Sequence, residues 1–180
     1  PNFEGVYLGR LHASKGIYDI PHIWKSVTDK IPHARLVVIG ESDKETKKII
    51  QKLIKKENLN NNIVLAGVLS DHQVLSILKK AKVFLFTDHE AGWGLAVAES
   101  MACGLPVIAG ASGGAPDAVI EGVTGVVVDG LDCAAIAVAA IQMLENPIQS
   151  QKMGLEGRRW VEEKWRWQIW ADEFAKLLRN

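Results

Sequence analysis

Six short apolar runs alternate along the chain with longer segments in which apolar residues recur at helical spacing. Within each run the apolar residues are continuous, whereas a strand with one face in water alternates apolar and polar residues. Continuous runs of this length are typical of strands that are covered on both faces, as in a parallel sheet. The pattern therefore predicts six such strands, at residues 6–9, 36–39, 63–66, 83–86, 106–109 and 125–128.

The segments between the runs predict helices. Ser70 and Gln73 have the spacing of a capping box, in which each side chain binds a backbone N–H of the other residue, so a helix should begin there. Asp132 is a candidate N-cap for a later helix. The apolar stripes of the predicted helices are Ile20, Ile23, Trp24 and Val27; Ile49, Ile50, Leu53 and Ile54; Val74, Ile77 and Leu78; and Ile136, Ala140 and Met143.

This alternation of strands and helices with short connections predicts an α/β fold. Right-handed crossovers would build it as a doubly wound, parallel, six-stranded Rossmann-like sheet with helices on both faces. A single domain over residues 1–180 fits this number of elements. In such sheets, ligands bind in a crevice at the carboxyl ends of the strands.

The C-terminal stretch is unusually aromatic. Trp165, Trp167 and Trp170 lie close together, and Phe174 and Leu177 continue a helical stripe. A helix this apolar needs a surface to cover. Two interpretations stay open: the helix packs on this domain's own sheet or helices, or part of it faces a further domain.

Charge and cysteine content narrow the class of protein. The 21 Lys and Arg residues balance the 21 Asp and Glu residues, so no basic excess favours nucleic acid as a partner. No apolar run reaches the length of a membrane span. Cys103 and Cys133 lie in apolar or helical contexts, which favours reduced, buried thiols over a disulfide framework. We therefore expect a cytoplasmic protein.

Several familiar site motifs are absent from the sequence. The chain after the first predicted strand reads GRLHASKG and not GxGxxG, so the dinucleotide fingerprint is missing. There is also no P-loop, no His/Cys spacing typical of a metal site and no GxSxG nucleophile elbow. Any site must therefore combine residues from several strand ends, and we expect no metal.

Two cations follow the first predicted strand. Arg10 and Lys15 should point from the carboxyl end of that strand toward the crevice. An arginine guanidinium offers a fork for phosphate oxygens, and a lysine ammonium offers a mobile point charge. The two residues are candidate phosphate ligands, although a solvated pair of cations gives the same pattern.

A glycine turn follows the fourth predicted strand. The glycines of Gly92-Trp93-Gly94 allow the backbone to approach a ligand closely. The helix that follows from Leu95 presents free N–H groups and the positive end of its dipole. The turn is therefore a candidate anion site. The alternative is a tight turn around a core tryptophan.

Glu99 lies in a helix that looks fully buried, because its neighbours at 95–102 are mostly small and apolar. A buried carboxylate is costly unless it is paired or hydrogen-bonded. We expect Glu99 to accept hydrogen bonds from both hydroxyls of a ribose, with a salt bridge to Arg10 or Lys15 as the alternative. Glu90 precedes the glycine turn and is placed to reach the same crevice.

Taken together, these residues resemble the donor-nucleotide domain of retaining glycosyltransferases of the two-domain GT-B, group 1 type. The resemblance covers essentially the whole chain. It implies a single nucleotide-sugar-binding domain, the second half of such an enzyme, with the N-terminal acceptor domain absent from this sequence. The motifs that carry it are GRLHASKG, LVVIGES, VLAGVLS and HEAGWGLAVAESMACGLPVIAGASGGAPDAVIEGVTGVVV.

The resemblance implies roles for the matching residues. Arg10 and Lys15 would bind the donor diphosphate, and Glu99 would bind the ribose. The segment at Gly67 and Val68 would flank the base. The implied catalytic residues are Arg10, Lys15 and Glu90, and the implied donor-binding residues are Val68, Gly92, Trp93, Gly94, Leu95 and Glu99. The family's glycine pair before a proline and an acid matches Gly113, Gly114, Pro116 and Asp117.

The sequence departs from the family pattern at one position. The family usually has seven residues between its two signature glutamates, whereas Glu90 and Glu99 have eight between them. Ala91 stands at the position that matches the first glutamate, whose carboxylate normally contacts the transferred sugar. Either Glu90 substitutes through a shifted turn, or the contact is lost.

The activity implied by the resemblance is transfer of a hexosyl group from a UDP-, GDP- or ADP-sugar to an acceptor hydroxyl, with the anomeric configuration kept and no cofactor. The acceptor, a glycan, a lipid or a small molecule, would bind the missing domain. The parent would be cytoplasmic or peripheral at the inner membrane face, and this chain alone should bind nucleotide weakly and transfer nothing. Two alternatives stay open: a non-catalytic nucleotide-binding relative, and a sugar-nucleotide epimerase of the same architecture.

Overall fold

The computed structural model describes residues 3–90 and 92–178. Its six strands are β1 (Gly5–Leu8), β2 (Leu36–Ile39), β3 (Ile63–Gly67), β4 (Val83–Phe86), β5 (Val107–Gly110) and β6 (Gly125–Val128). They form one sheet in the order β3-β2-β1-β4-β5-β6, and all neighbouring strands are parallel. The predicted Rossmann-like α/β fold is therefore confirmed.

Helices connect the strands and extend beyond the last one. The capping box of Ser70 and Gln73 is present, and the Asp132 carboxylate accepts a hydrogen bond from the backbone N–H of Ala135, so both predicted N-caps are confirmed. The helices are α1 (Ile20–Lys30), α2 (Lys44–Lys56), α3 (Asp71–Leu78), α4 (Leu95–Ala102), α5 (Ala115–Ala118), α6 (Cys133–Glu145), α7 (Pro147–Lys164) and α8 (Trp167–Leu177), and a short 3-10 helix lies at Ala13–Lys15.

Apolar side chains cover both faces of the sheet. Helices α1, α2 and α6 pack on one face, and α3, α4 and α5 pack on the other. Helix α7 contributes Met153 to the first core, and Trp160 and Val161 pack against the second. Trp24 on α1 is fully buried and donates its indole N–H to the carbonyl of Ala34, at 3.3 Å. Coverage from both sides explains why the strand sequences are continuously apolar.

The C-terminal helix leaves several large apolar side chains exposed. Trp165 is partly buried against the second core, but α8 leaves Trp167 86% exposed and Phe174 62% exposed, and Leu177 is exposed as well. The interpretation that the stretch packs on its own domain is therefore confirmed for Trp165 and wrong for Trp167, Phe174 and Leu177. The side chain of Trp170 lies outside the described residues. Contact with a further domain stays a prediction.

Within residues 3–90 and 92–178, no helix is long and apolar enough to cross a bilayer. The same residues contain no group of three or more His, Cys, Asp or Glu side chains suited to a metal ion. Cys103 and Cys133 are free thiols, and each is half-buried, not buried as predicted. Partial burial raises the pKa of both thiols, so both stay largely protonated at neutral pH.

Candidate functional site

The loops after β1, β2 and β3 meet at the carboxyl edge of the sheet. Together with α3 and α4 they line an open cavity of about 1020 Å³. Open parallel α/β sheets hold ligands at this position. Most of the wall is apolar, so the few charged side chains in it determine which ligand fits. The apolar wall includes Leu8, Ile39, Val74, Leu75, Leu78 and Leu95.

Charged side chains of both signs line the cavity. Arg10 is exposed and makes no salt bridge with any described residue, so its guanidinium is available to an anion. Asp71 and Glu99 line the same cavity. Burial raises the pKa of Glu99, and the negative charge of Asp71 raises it further. The cavity therefore suits a ligand with a flat apolar part, hydrogen-bond donors and an anionic group.

The orientation of Glu99 differs from the sequence prediction. Val97, Ser100 and Met101 form the buried face of α4, whereas Glu99 lies on the opposite face, exposed, in the cavity wall. The prediction of a fully buried helix is wrong, because the apolar residue Leu95 lines the cavity and not the core.

The carboxylate of Glu99 also has no internal counter-ion. No salt bridge joins it to any of the residues that the structure describes, so the alternative of an ion pair with Arg10 or Lys15 is wrong. A carboxylate that is half-shielded from water and pairs with no cation among the described residues can still accept hydrogen bonds from a ligand. Binding of a ligand that donates a hydrogen bond to Glu99 is therefore favoured.

Lys15 is bound by a carboxylate that the sequence analysis missed. Its Nζ lies 2.6 Å from Oδ2 of Asp88 and donates a second hydrogen bond to the carbonyl of Glu90, at 3.2 Å. Asp88 is buried, and this burial raises its pKa although Lys15 opposes the shift. Lys15 is not among the residues that line the cavity, whereas Arg10 is. That the two cations share one crevice stays a prediction.

The turn that carries Lys15 is fixed by contacts with the neighbouring strand. The side-chain hydroxyls of Tyr7 and Thr87 both donate to the carbonyl of Lys15, at 3.4 and 3.1 Å. Gly16 ends the turn with φ +64°, and a Cβ there would lie 2.1 Å from the carbonyl oxygen of Thr87. Only glycine meets both conditions, so the backbone position of Lys15 is tightly set.

The loop between β4 and α4 contains Glu90, whose side chain is exposed and does not line the cavity. The backbone N–H of Glu90 donates to the carbonyl of Ser14, at 3.2 Å. The ring Nε2 of His89 lies 2.8 Å from Oδ2 of Asp19, which ties the same loop to the start of α1. Ala91 lies outside the described residues. The predicted role of Glu90 in the crevice stays a prediction.

The glycine turn leads directly into α4. Gly94 is the N-cap of this helix with φ +71°, and no side chain caps the helix there. The carbonyl of Gly92 accepts a hydrogen bond from the N–H of Gly114, at 2.8 Å, which joins the turn to the start of α5. Trp93 is 68% exposed, so the alternative of a core tryptophan is wrong. The N-terminus of α4, beginning at the cavity residue Leu95, is open to an anion.

The structure thus separates the predicted residues into neighbouring groups. Arg10, Val68, Leu95 and Glu99 line the cavity. Lys15 lies beside Asp88 and the backbone of Glu90, and the segment 92–94 forms the turn into α4. Sequence reasoning missed Asp71 and Asp88. The sequence did contain a signal for Asp88, because this residue follows closely after the apolar run 83–86. That run forms β4, whose carboxyl end lies next to the carboxyl end of β1 in the sheet.

Comparison with known proteins points to one family. Residues 3–160 match the model of the family described as Glycosyl transferases group 1. The chain is similar to a GDP-mannose-dependent monoacylated alpha-(1-6)-phosphatidylinositol monomannoside mannosyltransferase of Corynebacterium glutamicum, with 32% identity over 178 residues. This match covers 95% of the chain and 45% of the corynebacterial protein.

Solved structures give the same result for the fold. Sucrose-phosphate synthase from Thermosynechococcus elongatus superposes with a TM-score of 0.88 at 30% identity, over 99% of this chain and 45% of that one. HepE of Anabaena, solved in complex with UDP, superposes with a TM-score of 0.88 at 18% identity, over 99% of this chain and 49% of that one. At 18% identity, the second likeness shows the fold alone. The chain spans a little under half the length of the relatives that it matches.

Proposed function

Because this chain belongs to the group 1 glycosyl transferases, we propose that it is the sugar-nucleotide-binding domain of a retaining glycosyltransferase. The observation that carries the proposal is the carboxylate of Glu99, which faces the cavity without an internal counter-ion while Arg10 lines the same cavity. A carboxylate accepts hydrogen bonds from paired ribose hydroxyls, and a guanidinium binds phosphate oxygens. A nucleoside diphosphate offers both groups.

The rest of the cavity has a place for the base. Val68 is 74% exposed at the end of β3 and lines the cavity beside apolar side chains of α3, which gives a flat ring a surface to lie on. The name of the corynebacterial relative specifies a GDP-sugar, and HepE was solved with UDP. The donor in this proposal is therefore a UDP-, GDP- or ADP-sugar.

The proposed reaction breaks the bond between the sugar C1 and a diphosphate oxygen and forms a bond from C1 to an acceptor oxygen on the same face of the sugar. The leaving diphosphate keeps the electron pair of the broken bond and takes up the proton that the acceptor hydroxyl loses. Arg10 and the N-terminus of α4 would stabilise the charge that develops on the leaving diphosphate. A further domain would bind the acceptor, a glycan, a lipid or a small molecule. In this proposal the reaction would take place in the cytoplasm, or at the inner membrane face where the acceptor is a lipid.

A second candidate function is nucleotide binding without transfer. Two observations favour it. Ala91 stands where the family has the glutamate that contacts the sugar. In addition, the charge of Lys15 is already neutralised by Asp88. Transfer by a full-length parent that carries the natural Ala91 would eliminate this candidate, and an Ala91→Glu variant would show whether the missing carboxylate limits the rate.

Titration calorimetry of this chain with UDP, GDP, ADP and their sugars tests the donor site. We expect one base to be preferred, and Glu99→Ala to weaken its binding at least tenfold. Glu145→Ala is the matched control, because Glu145 is also an exposed helical glutamate but lies outside the cavity. The proposal fails if no nucleotide binds or if Glu99→Ala binds as tightly as the wild type. Turnover by these 180 residues alone would contradict the need for a further domain.

A further inference from the structure

Helix α2 has an unusual charge for a chain of zero net charge. Six lysines and one glutamate occupy its 13 positions, KETKKIIQKLIKK, and all six lysines are exposed. The whole chain has 21 basic and 21 acidic residues. The positive charge of α2 is therefore a local concentration and does not follow from a generally basic surface.

The lysines are not spread evenly around the helix. Thr46, Ile50 and Ile54 form the buried face of α2, which packs on the sheet. At 100° per residue, four lysines fall within about 80° of one another on the opposite side, and at 1.5 Å per residue they extend for about 16 Å along the axis. We call this set the lysine row; it consists of Lys44, Lys48, Lys52 and Lys55.

Three cations on other helices of this protein are paired within their own helix. Arg158 pairs with Glu162 and Arg159 with Glu156, both on α7, and Lys25 pairs with Asp29 on α1. In the part of the chain that the structure describes, no residue of the lysine row takes part in a salt bridge. Like charges four residues apart disfavour a helix. The row thus lowers the stability of α2, which indicates that its charge serves an anionic partner.

We infer that the lysine row is a docking surface for an anionic lipid bilayer. Four exposed lysines on the outer side of one helix can contact a negatively charged plane together. Groups of four to eight basic residues on an amphipathic helix are typical of binding to anionic lipid. Ile49, beside the row, is 38% exposed and adds an apolar contact at the edge of the headgroups.

The composition of the helix favours lipid over nucleic acid. Specific nucleic-acid sites use arginine forks on base edges or phosphates, and single strands stack on aromatic side chains. Helix α2 contains neither arginine nor an aromatic residue. Lysine, as a mobile point charge, suits a diffuse field of lipid headgroups. The inference goes beyond the proposed donor site and does not depend on it, because the lysine row does not line that cavity.

Vesicle flotation of the 180-residue chain tests the inference. The vesicles consist of phosphatidylcholine alone or of phosphatidylcholine mixed with phosphatidylglycerol. Each lysine near an anionic surface strengthens binding roughly fivefold. We therefore expect the wild type to bind the mixed vesicles at least tenfold more tightly than the neutral ones, with an affinity that falls as salt rises.

Two variants with the same change in net charge locate the effect. The first replaces the lysine row with glutamine, and we expect it to lose at least tenfold in affinity for the mixed vesicles. The second is the control and changes less than threefold. It replaces four exposed cations outside α2 with glutamine, namely Lys30, Lys80, Lys152 and Arg166. Circular dichroism tests whether both variants keep the wild-type melting temperature. If the first variant melts at a lower temperature, Lys48→Glu alone is measured in its place.

Several results would overturn the inference. Equal losses in the two variants would mean that net charge, and not the row, drives binding. Wild-type binding that is insensitive to salt would exclude an electrostatic surface. Tighter binding to a single-stranded RNA or to polyglutamate than to the mixed vesicles, at the same ionic strength, would assign the row to another class of partner. Nucleotide affinity in solution should be the same in both variants, so a failure here leaves the donor site untouched.

Discussion

The ammonium group of Lys15 lies 2.6 Å from a carboxylate oxygen of Asp88, and the two residues come from loops that follow the adjacent strands β1 and β4. The side chain of Lys15 is 21% exposed and that of Asp88 is 9% exposed, so the pair is largely shielded from water. An ion pair in this position holds the lysine on the sheet edge beside the cavity. A diphosphate that needs Lys15 must compete with Asp88 for it.

This competition gives a first prediction. Asp88→Asn removes the charge that neutralises Lys15, so a nucleoside diphosphate should bind roughly three- to tenfold more tightly. The parent nucleoside, which lacks phosphate, should bind as it does to the wild type. Titration calorimetry with the matched diphosphate and nucleoside measures both affinities.

Asp172→Asn is the control for this experiment, because Asp172 is exposed on α8 and does not line the cavity. It should change neither affinity. Weaker diphosphate binding to Asp88→Asn would show that Asp88 positions Lys15 for the ligand and does not compete with it.

Removal of Lys15 should reduce the stability of the folded protein, and the size of the reduction should depend on pH. Lys15→Met leaves the Asp88 carboxylate buried without a counter-ion, which should cost about 2–4 kcal/mol in the free energy of unfolding at neutral pH. Burial raises the pKa of Asp88 above its unfolded value, so the folded state holds this proton more tightly. In the variant the pKa of Asp88 is higher still, because Lys15 no longer lowers it. The loss is complete above that pKa and should shrink as pH falls through it, because a neutral carboxyl group needs no counter-ion.

Urea unfolding of the wild type and Lys15→Met across the acidic range measures this difference. A loss of the same size at every pH would mean that the packing of the lysine stem, and not its charge, stabilises the loop.

Donor binding should also depend on the ionisation of Glu99. Burial and the charge of Asp71 raise the pKa of Glu99, and only the ionised carboxylate accepts hydrogen bonds from both ribose hydroxyls with full strength. Nucleotide affinity should therefore fall as pH is lowered through a range above that of an ordinary glutamate. The ratio of wild-type to Glu99→Gln affinity, measured by calorimetry at each pH, removes the contribution of the nucleotide's own phosphates. A ratio that stays constant with pH would contradict this role.

Gly16 should be intolerant of a side chain for two separable reasons. Its φ of +64° disfavours any other residue by about 1–2 kcal/mol, and a Cβ would also lie 2.1 Å from the Thr87 carbonyl oxygen. Gly122 has φ +71° but open space around its Cβ position, so Gly122→Ala isolates the first effect. We expect Gly16→Ala to reduce the free energy of unfolding by at least 1 kcal/mol more than Gly122→Ala in urea titrations. Equal losses would mean that the loop moves to admit the methyl group.

The strands and caps could be predicted from the sequence because each depends on a local pattern. Continuous apolar runs such as 36–39 predict burial on both faces wherever the strand lies in the sheet. The capping box of Ser70 needs only its own backbone and Gln73. In both cases the residues that form the sequence pattern also form the structural element, so the element can be predicted without knowledge of distant contacts.

The site was harder to predict because it depends on which face of a helix meets which loop. Helix α4 is short and has small apolar residues on every side, so its sequence does not distinguish the core face at Val97 from the cavity face at Glu99. The pairing of Lys15 with Asp88 depends on strand order, which brings together loops that are far apart along the chain. Neither relationship leaves a periodic signal.

The position of β1 between β2 and β4 has a consequence for how the chain folds during synthesis. β1 can pair with β2 soon after translation, but its other edge waits until β4 leaves the ribosome, after two further helices and β3. Such long-range pairing is slow, and an apolar strand with an open edge is a template for association with other nascent chains. Until β4 is synthesised, the open edge of β1 is therefore the place where a second nascent chain could pair with the growing polypeptide.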